Sequence, residues 1–217
     1  MNWHELIKGS ELYHLKEKRD HFYDDYMKKK DWDEWDNPDL PDGEIILLFT
    51  FLNQWSTHYP SGLDQVQAFQ SAYKSIFPTM RVLKSDRLED SDLNENKLSQ
   101  IEDVFAKIAF CGSRDEATGA SKILHTIIPN FFVMWDINIG SGYAVIRTPH
   151  EYAYKFLRRM QKQANEAILS YASEFKCERE AAISGIISKG NGRTITKLID
   201  EYNYAKFTLS LDELWDC

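Results

Sequence analysis

Apolar residues recur every three or four positions over most of this chain and almost nowhere alternate every second one. The run from Leu63 shows it best: Leu63, Val66, Phe69, Tyr73, Ile76 and Phe77 fall on one face of a 3.6-residue helix. Leu98, Ile101, Val104, Phe105 and Ile108 repeat the pattern, as do Phe156, Leu157, Met160, Ala164, Ile168 and Tyr171. Helices with apolar stripes and no sheet to lie on must pack against one another, so the fold expected is all-α or nearly so. The 217 residues suffice for one domain of two helical lobes around a shared core, with a cleft between them.

The punctuation places the elements. Residues 3–30 read as one or two helices broken near Gly9-Ser10. Residues 31–44, DWDEWDNPDLPDGE, hold seven acidic residues, no basic ones and two prolines, which makes an acidic loop. Trp32 and Trp35 pack that loop or offer stacking to a ligand, and its charge favours packing. Residues 44–58 are too long and apolar for a typical strand and read as a buried helix, with a strand as the competing reading. Ser61 caps the next helix and Pro78 ends it. Residues 84–97 read as a charged loop, and short helices follow at 116–128 and 135–145. Thr148-Pro149 opens a long helix to about Phe175. Helices at 178–188 and 194–206 close the chain around the turn KGNGR, Lys189 to Arg193.

Net charge is −8, which argues against non-specific nucleic-acid binding. The charge is uneven. Residues 141–207 carry 11 basic against 7 acidic side chains, and a local positive surface is what phosphates need. No apolar run approaches the ~20 residues of a membrane helix, and the N-terminus lacks a signal core, so a cytoplasmic location is expected. Cys111, Cys177 and Cys217 are odd in number and scattered. They give neither a disulfide framework nor a metal spacing, so no metal or cofactor is expected. Phosphate-loop, dinucleotide, zinc-deaminase and zinc-protease motifs are absent.

The segment with most chemistry is Gly119 to Ile139, GASKILHTIIPNFFVMWDINI. Asp136 stands in an apolar run, where an unpartnered carboxylate is costly. It is either the cap of the helix that follows or a working acid. Gly119, Ala120 and Ser121 form a small-residue turn or an ordinary helix start capped by Thr118. Lys122 is a solvated or phosphate-binding lysine, or an amine nucleophile. His125 is a hydrogen-bonded core residue or a proton carrier. Trp135 stacks or packs. The two glycines and two cations of KGNGR fit either a phosphate contact through Lys189 and Arg193 or a plain turn.

Over roughly residues 44–145 the order of these features resembles the helix-hairpin-helix DNA glycosylases. In that superfamily a glycine hairpin precedes an apolar helix, a loop, and an aspartate opening the next helix. The resemblance implies that 116–145 holds a degenerate hairpin and the catalytic aspartate, Asp136. It implies that Gly119, Ala120 and Ser121 contact a DNA phosphate, with Lys122 and His125 beside the reaction. Asn53 and Gln54, ending an early apolar helix, stand where the superfamily inserts an amide residue into the duplex. The activity implied is base flipping and hydrolysis of the N-glycosidic bond in double-stranded DNA, by water that Asp136 activates. The sequence spacing from Lys122 to Asp136 is short for the superfamily's lysine nucleophile, so a monofunctional enzyme that leaves an abasic site is expected. Diverged bacterial members remove hypermodified bases from viral DNA, which implies phage defence as one setting. The rival reading is a non-enzymatic helical module that binds DNA or protein, with Asp136 hydrogen-bonded at a helix end and no pocket beside it. No obligate protein partner is implied.

Overall fold

The computed structural model describes residues 1–55, 63–111 and 116–211, and every regular element among them is helical. α1 (Trp3–Lys16) opens with a capping box between Asn2 and Glu5 and runs straight through Gly9-Ser10, where a break was expected. The pair is an interhelical contact instead. A Cβ on Gly9 would stand 2.9 Å from the Cα of Tyr202, and Ser10 Oγ donates to Glu201 Oε2 at 2.5 Å. Bare backbone is what lets the C-terminal helix come this close. The break falls later, before α2 (Asp20–Lys29).

The acidic loop is packed by only one of its two tryptophans, Trp35, while Trp32 stays exposed. The loop makes a 3-10 turn at Glu34–Asp36. Trp35 is buried, and its Nε1 donates to Glu44 at 2.8 Å. Lys30 is buried beside it. Its Nζ donates to Thr126 O at 2.7 Å and lies 3.8 Å from the ring centre of Trp32. Burial, with Lys84 adding, pushes this amine well below its ordinary 10.5. The unfolded chain therefore takes up a proton that the folded one resists. Stability from this site is lowest below the depressed value and rises as pH climbs from there toward 10.5. Paired urea titrations of the chain and Lys30→Met are expected to show their difference moving in favour of lysine as pH rises. A difference independent of pH contradicts this.

The apolar run is helix, not strand: α3 (Asp42–Trp55) buries Ile45, Leu48, Phe49, Phe51, Leu52 and Trp55. The expected cap Ser61 lies outside the described residues. α4 (Leu63–Leu83) does not end at Pro78 but carries it inside. Proline there removes one backbone bond and crowds a turn, at roughly 3 kcal/mol. Met80 and Leu83, buried beyond it, hold the helix on course. α5 (Glu95–Ala109), α6 (Ala117–Ile127) and α7 (Ile137–Gly142) follow. α8 (Pro149–Glu151), with Thr148 as cap and Pro149 in its first turn, passes through a π-helical turn (Tyr152–Leu157) into α9 (Arg158–Phe175). α10 (Arg179–Lys189) and α11 (Ile195–Asn203) complete the set, and α11 ends in a second π turn, Tyr204–Thr208.

Helices α2 to α6 pack mainly on their neighbours in sequence, while α1, α9, α10 and α11 pack together. Buried side chains from both groups belong to one contiguous core, which is shared as expected rather than split between two lobes. The hairpin expected at Gly119–Ser121 is not found there: those three residues are buried inside α6, and residues 112–115 before it lie outside the described residues. No helix among the described residues is long and apolar enough to cross a membrane.

A candidate active site around Asp136 and Lys122

The apolar run before Asp136 is a rigid strap through the core. Phe131, Phe132, Val133, Met134 and Trp135 are all buried. Trp135 N donates to Ser121 Oγ at 3.2 Å, and Tyr152 OH donates to Val133 O at 2.7 Å. The strap delivers Asp136 to the start of α7, where Oδ1 accepts from Ile139 N at 2.8 Å. Its Oδ2 accepts from Thr208 Oγ1 at 2.8 Å, in the second π turn. Gly142 lets that turn sit down on α7, because any Cβ there would run into the ring of Phe207.

Beside Asp136 lies a cavity of about 220 Å³, lined among others by Lys122, Asp200, Trp55, Tyr13 and Tyr204. A cavity of ~150 Å³ holds a benzene ring, so one heteroaromatic ring system fits here. Its walls come from α1, α3, α6, α7, α11 and the second π turn, and from the segments before α2 and α7. Lys122 Nζ is 4.7 Å from the ring centre of Trp55. Burial pushes this amine down to about 8, against the opposing pull of Asp200 and Asp136. Burial also lifts the Asp200 carboxyl to about 7, with Glu201 acting in the same direction and Lys197 against it. Glu17 is the opposite case. Its hydrogen bonds from Arg19 outweigh burial and hold it at about 2.

Behind this wall is a buried charge network. Lys197 Nζ stands 3.3 Å from Asp20, 3.2 Å from Asp200 and 3.3 Å from Glu201. Arg193 pairs with Asp20 at 2.6 Å, with Glu201 at 3.5 Å, and with Asp24. His14, Asp20 and Glu201 bring ligand atoms within 4.8 Å of one another, a spacing a metal ion could use. Lys197 and Arg193 already serve as the counter-charges of Asp20 and Glu201, which leaves little call for a metal.

The structure brings together only part of the expected set. Asp136 and Lys122 share the cavity, and Trp135 forms part of its wall. The Trp135 indole packs in the core and donates to Ala117 O at 3.2 Å. His125 is a core residue. It is fully buried, with Nδ1 2.7 Å from Phe132 O and Nε2 3.0 Å from Tyr23 OH, and burial drives it down to about 3. Gly119, Ala120 and Ser121 cannot meet a phosphate from inside α6. Ser121 Oγ donates to Thr118 O at 2.8 Å, and Glu116, not Thr118, occupies the cap position.

Asn53 and Gln54 do not face the cavity. Asn53 Nδ2 donates to Phe49 O at 3.0 Å, and Gln54 lies on a different surface beside Asp25 and Thr50. The next residue, Trp55, is the one that α3 turns inward. Arg193 is spent on the inner carboxylates. Lys189 is exposed, but over Trp3 and away from the cavity. The exposed cation lining the cavity is Arg19, paired with Glu17 at 2.8 Å, and Arg147 touches the lining residue Thr118, its Nη1 donating to Thr118 Oγ1 at 3.2 Å.

Sequence reading missed Asp200, Tyr13, Tyr204 and Trp55. The signal for Asp200 was present but ambiguous. Lys197, Asp200 and Glu201 are spaced like surface ion pairs of a solvated helix, yet α11 buries all nine of its residues. Comparison with family models, with curated proteins and with solved structures finds no match to this chain.

Proposed function

We propose that this chain is a DNA glycosylase that takes a flipped base into the cavity and cleaves its N-glycosidic bond. The observation that carries this reading is the meeting of Asp136 and Lys122 in one aromatic-lined cavity of single-base size. Those are the residues to which the resemblance assigns the carboxylate and the amine. An oxocarbenium-like sugar at the mouth would find the Asp136 carboxylate beside it, and Trp55 and Tyr204 offer faces on which a base stacks. The rival module, with Asp136 at a helix end and no pocket, accounts for the cap but not for the cavity. A modified base in double-stranded DNA is the proposed substrate, and defence against hypermodified viral DNA a setting for it.

Hydrolysis that leaves an abasic site is the first reading of the chemistry. One observation favours a second, attack at C1′ by Lys122. With its amine near 8, about one molecule in ten carries it unprotonated at pH 7, against about one in three thousand for an ordinary lysine. Borohydride trapping during excision separates the two. Hydrolysis predicts alkali-labile product without an adduct. Amine attack predicts a covalent protein–DNA adduct that disappears in Lys122→Ala. Excision from no duplex at all contradicts both.

A further inference from the structure

We propose that Asp200 is the general acid of this site, handing its proton to the base as the base departs. The proposal rests on the glycosylase reading. When the C1′–N bond breaks, its electron pair goes to the base nitrogen, and an unprotonated leaving base departs as an anion. A proton donor in the wall removes that obstacle, a contribution of typically 10²–10⁴-fold.

The cavity offers few donors, and the competitor to a carboxyl is the Lys122 ammonium, lowered by burial to about 8, which the Asp200→Asn variant leaves in place. Glu17 is held ionised by Arg19. Burial raises both phenols, Tyr204 to about 12 and Tyr13 further, which makes them weak acids. Asp136 uses both oxygens as acceptors, from Ile139 N and Thr208 Oγ1. Asp200 is different. It lines the cavity, is almost fully buried, and holds one ion pair, to Lys197 at 3.2 Å. The charged and titratable groups around it are Lys197 and Glu201 on its own helix, Lys122 on α6, Tyr13 on α1, Asp20 and Tyr23 on α2, and Tyr152 in the first π turn. Their balance with burial leaves the carboxyl near half-protonated at neutral pH, where a general acid works best.

The step balances. The Asp200 O–H proton passes to the base nitrogen as C1′–N breaks, and the carboxylate left behind is held by Lys197. Water oxygen bonds to C1′, and Asp136 accepts its proton. Exchange with solvent restores both groups.

The test compares leaving groups. Single-turnover excision is measured on duplexes bearing 7-methylguanine, which departs neutral, and on duplexes bearing uracil, hypoxanthine or 8-oxoguanine, which depart as anions unless protonated. In the wild-type chain, excision of the second group is expected to fall as pH rises through about 7, while excision of 7-methylguanine does not. In Asp200→Asn, whose fold is checked by circular dichroism, the second group should lose ~10²–10⁴-fold and 7-methylguanine less than ~10-fold. Asp200→Glu should keep the wild-type pattern. Equal losses on all bases, or none, overturn the proposal and return Asp200 to a structural ion pair. Should Asp200→Asn not fold, equal pH dependence of both groups in the wild-type chain overturns it. Excision from none of these duplexes overturns the glycosylase reading, and this proposal with it.

Discussion

Replacing Asp136 by asparagine is expected to lower single-turnover base excision by ~10²–10³-fold while leaving fold and DNA affinity near wild type. The change is close to isosteric, and asparagine caps helices about as well as aspartate. The carbonyl of asparagine can therefore still accept from Ile139 N, as Oδ1 does now at 2.8 Å. What disappears is the negative charge at the cavity wall. That charge matters little to a ground-state duplex and much to a sugar that gains positive charge as its base leaves. The loss should fall on the chemical step, not on binding. Alkali-revealed strand breaks report the rate, and fluorescence anisotropy of a labelled duplex reports the affinity. A near wild-type rate would leave Asp136 as the cap of α7 and nothing more.

Lys197→Met should destabilise the chain by about 3–5 kcal/mol, the range for breaking a buried ion pair from one side. Three carboxylates meet this ammonium within 3.3 Å, and it is almost completely buried. Glu201 Oε1 has no hydrogen bond and depends on Lys197 and Arg193 for its counter-charge. Burial works against the charge on Lys197, yet the surrounding carboxylates outweigh it and hold its pKa well above 10.5. Its contribution is therefore fully present below 10.5 and lost only as pH rises through the raised value. Asp20 and Glu201 are held below 3.8 and 4.5, so their contribution is present above those values and lost as pH falls through the depressed ones. Asp200, lifted to about 7, has the opposite sign and favours the fold increasingly as pH falls from about 7 toward 3.8. In the methionine variant all three carboxyls should titrate higher. The deficit is then expected to be largest near neutral pH and to shrink on acidification toward pH 4. Urea unfolding across pH measures this. A loss under ~1 kcal/mol, or one that is flat with pH, contradicts the network as described.

The helices were legible because each buries a stripe, and a stripe survives in sequence as 3–4 spacing. Errors came where a local breaker served a tertiary contact. Gly9-Ser10 reads as a stop but is the place where α11 docks, and Pro78 reads as a terminus but lies within a helix held by Met80 and Leu83. The site was half legible. Asp136 and Lys122 lie 14 residues apart, one at the end of the strap and the other on α6 before it, so local order carried them. Tyr13, Asp200 and Tyr204 reach the same cavity from the two ends of the chain through the packing of α1 on α11, which no local pattern encodes. Arg193 read as a phosphate contact or part of a plain turn because nothing in KGNGR reveals that Asp20, Asp24 and Glu201 wait inside.

The central claim is most directly tested by mass spectrometry of what the chain releases from DNA. Duplexes carrying modified bases, hypermodified viral DNA among them, are incubated with the wild-type chain and with Asp136→Asn beside unmodified controls. The account predicts free modified base in the soluble fraction, from the wild-type chain and not from the variant, with abasic sites left in the strand. Release of nucleotides instead of base, or of nothing from any duplex by the folded chain, contradicts it.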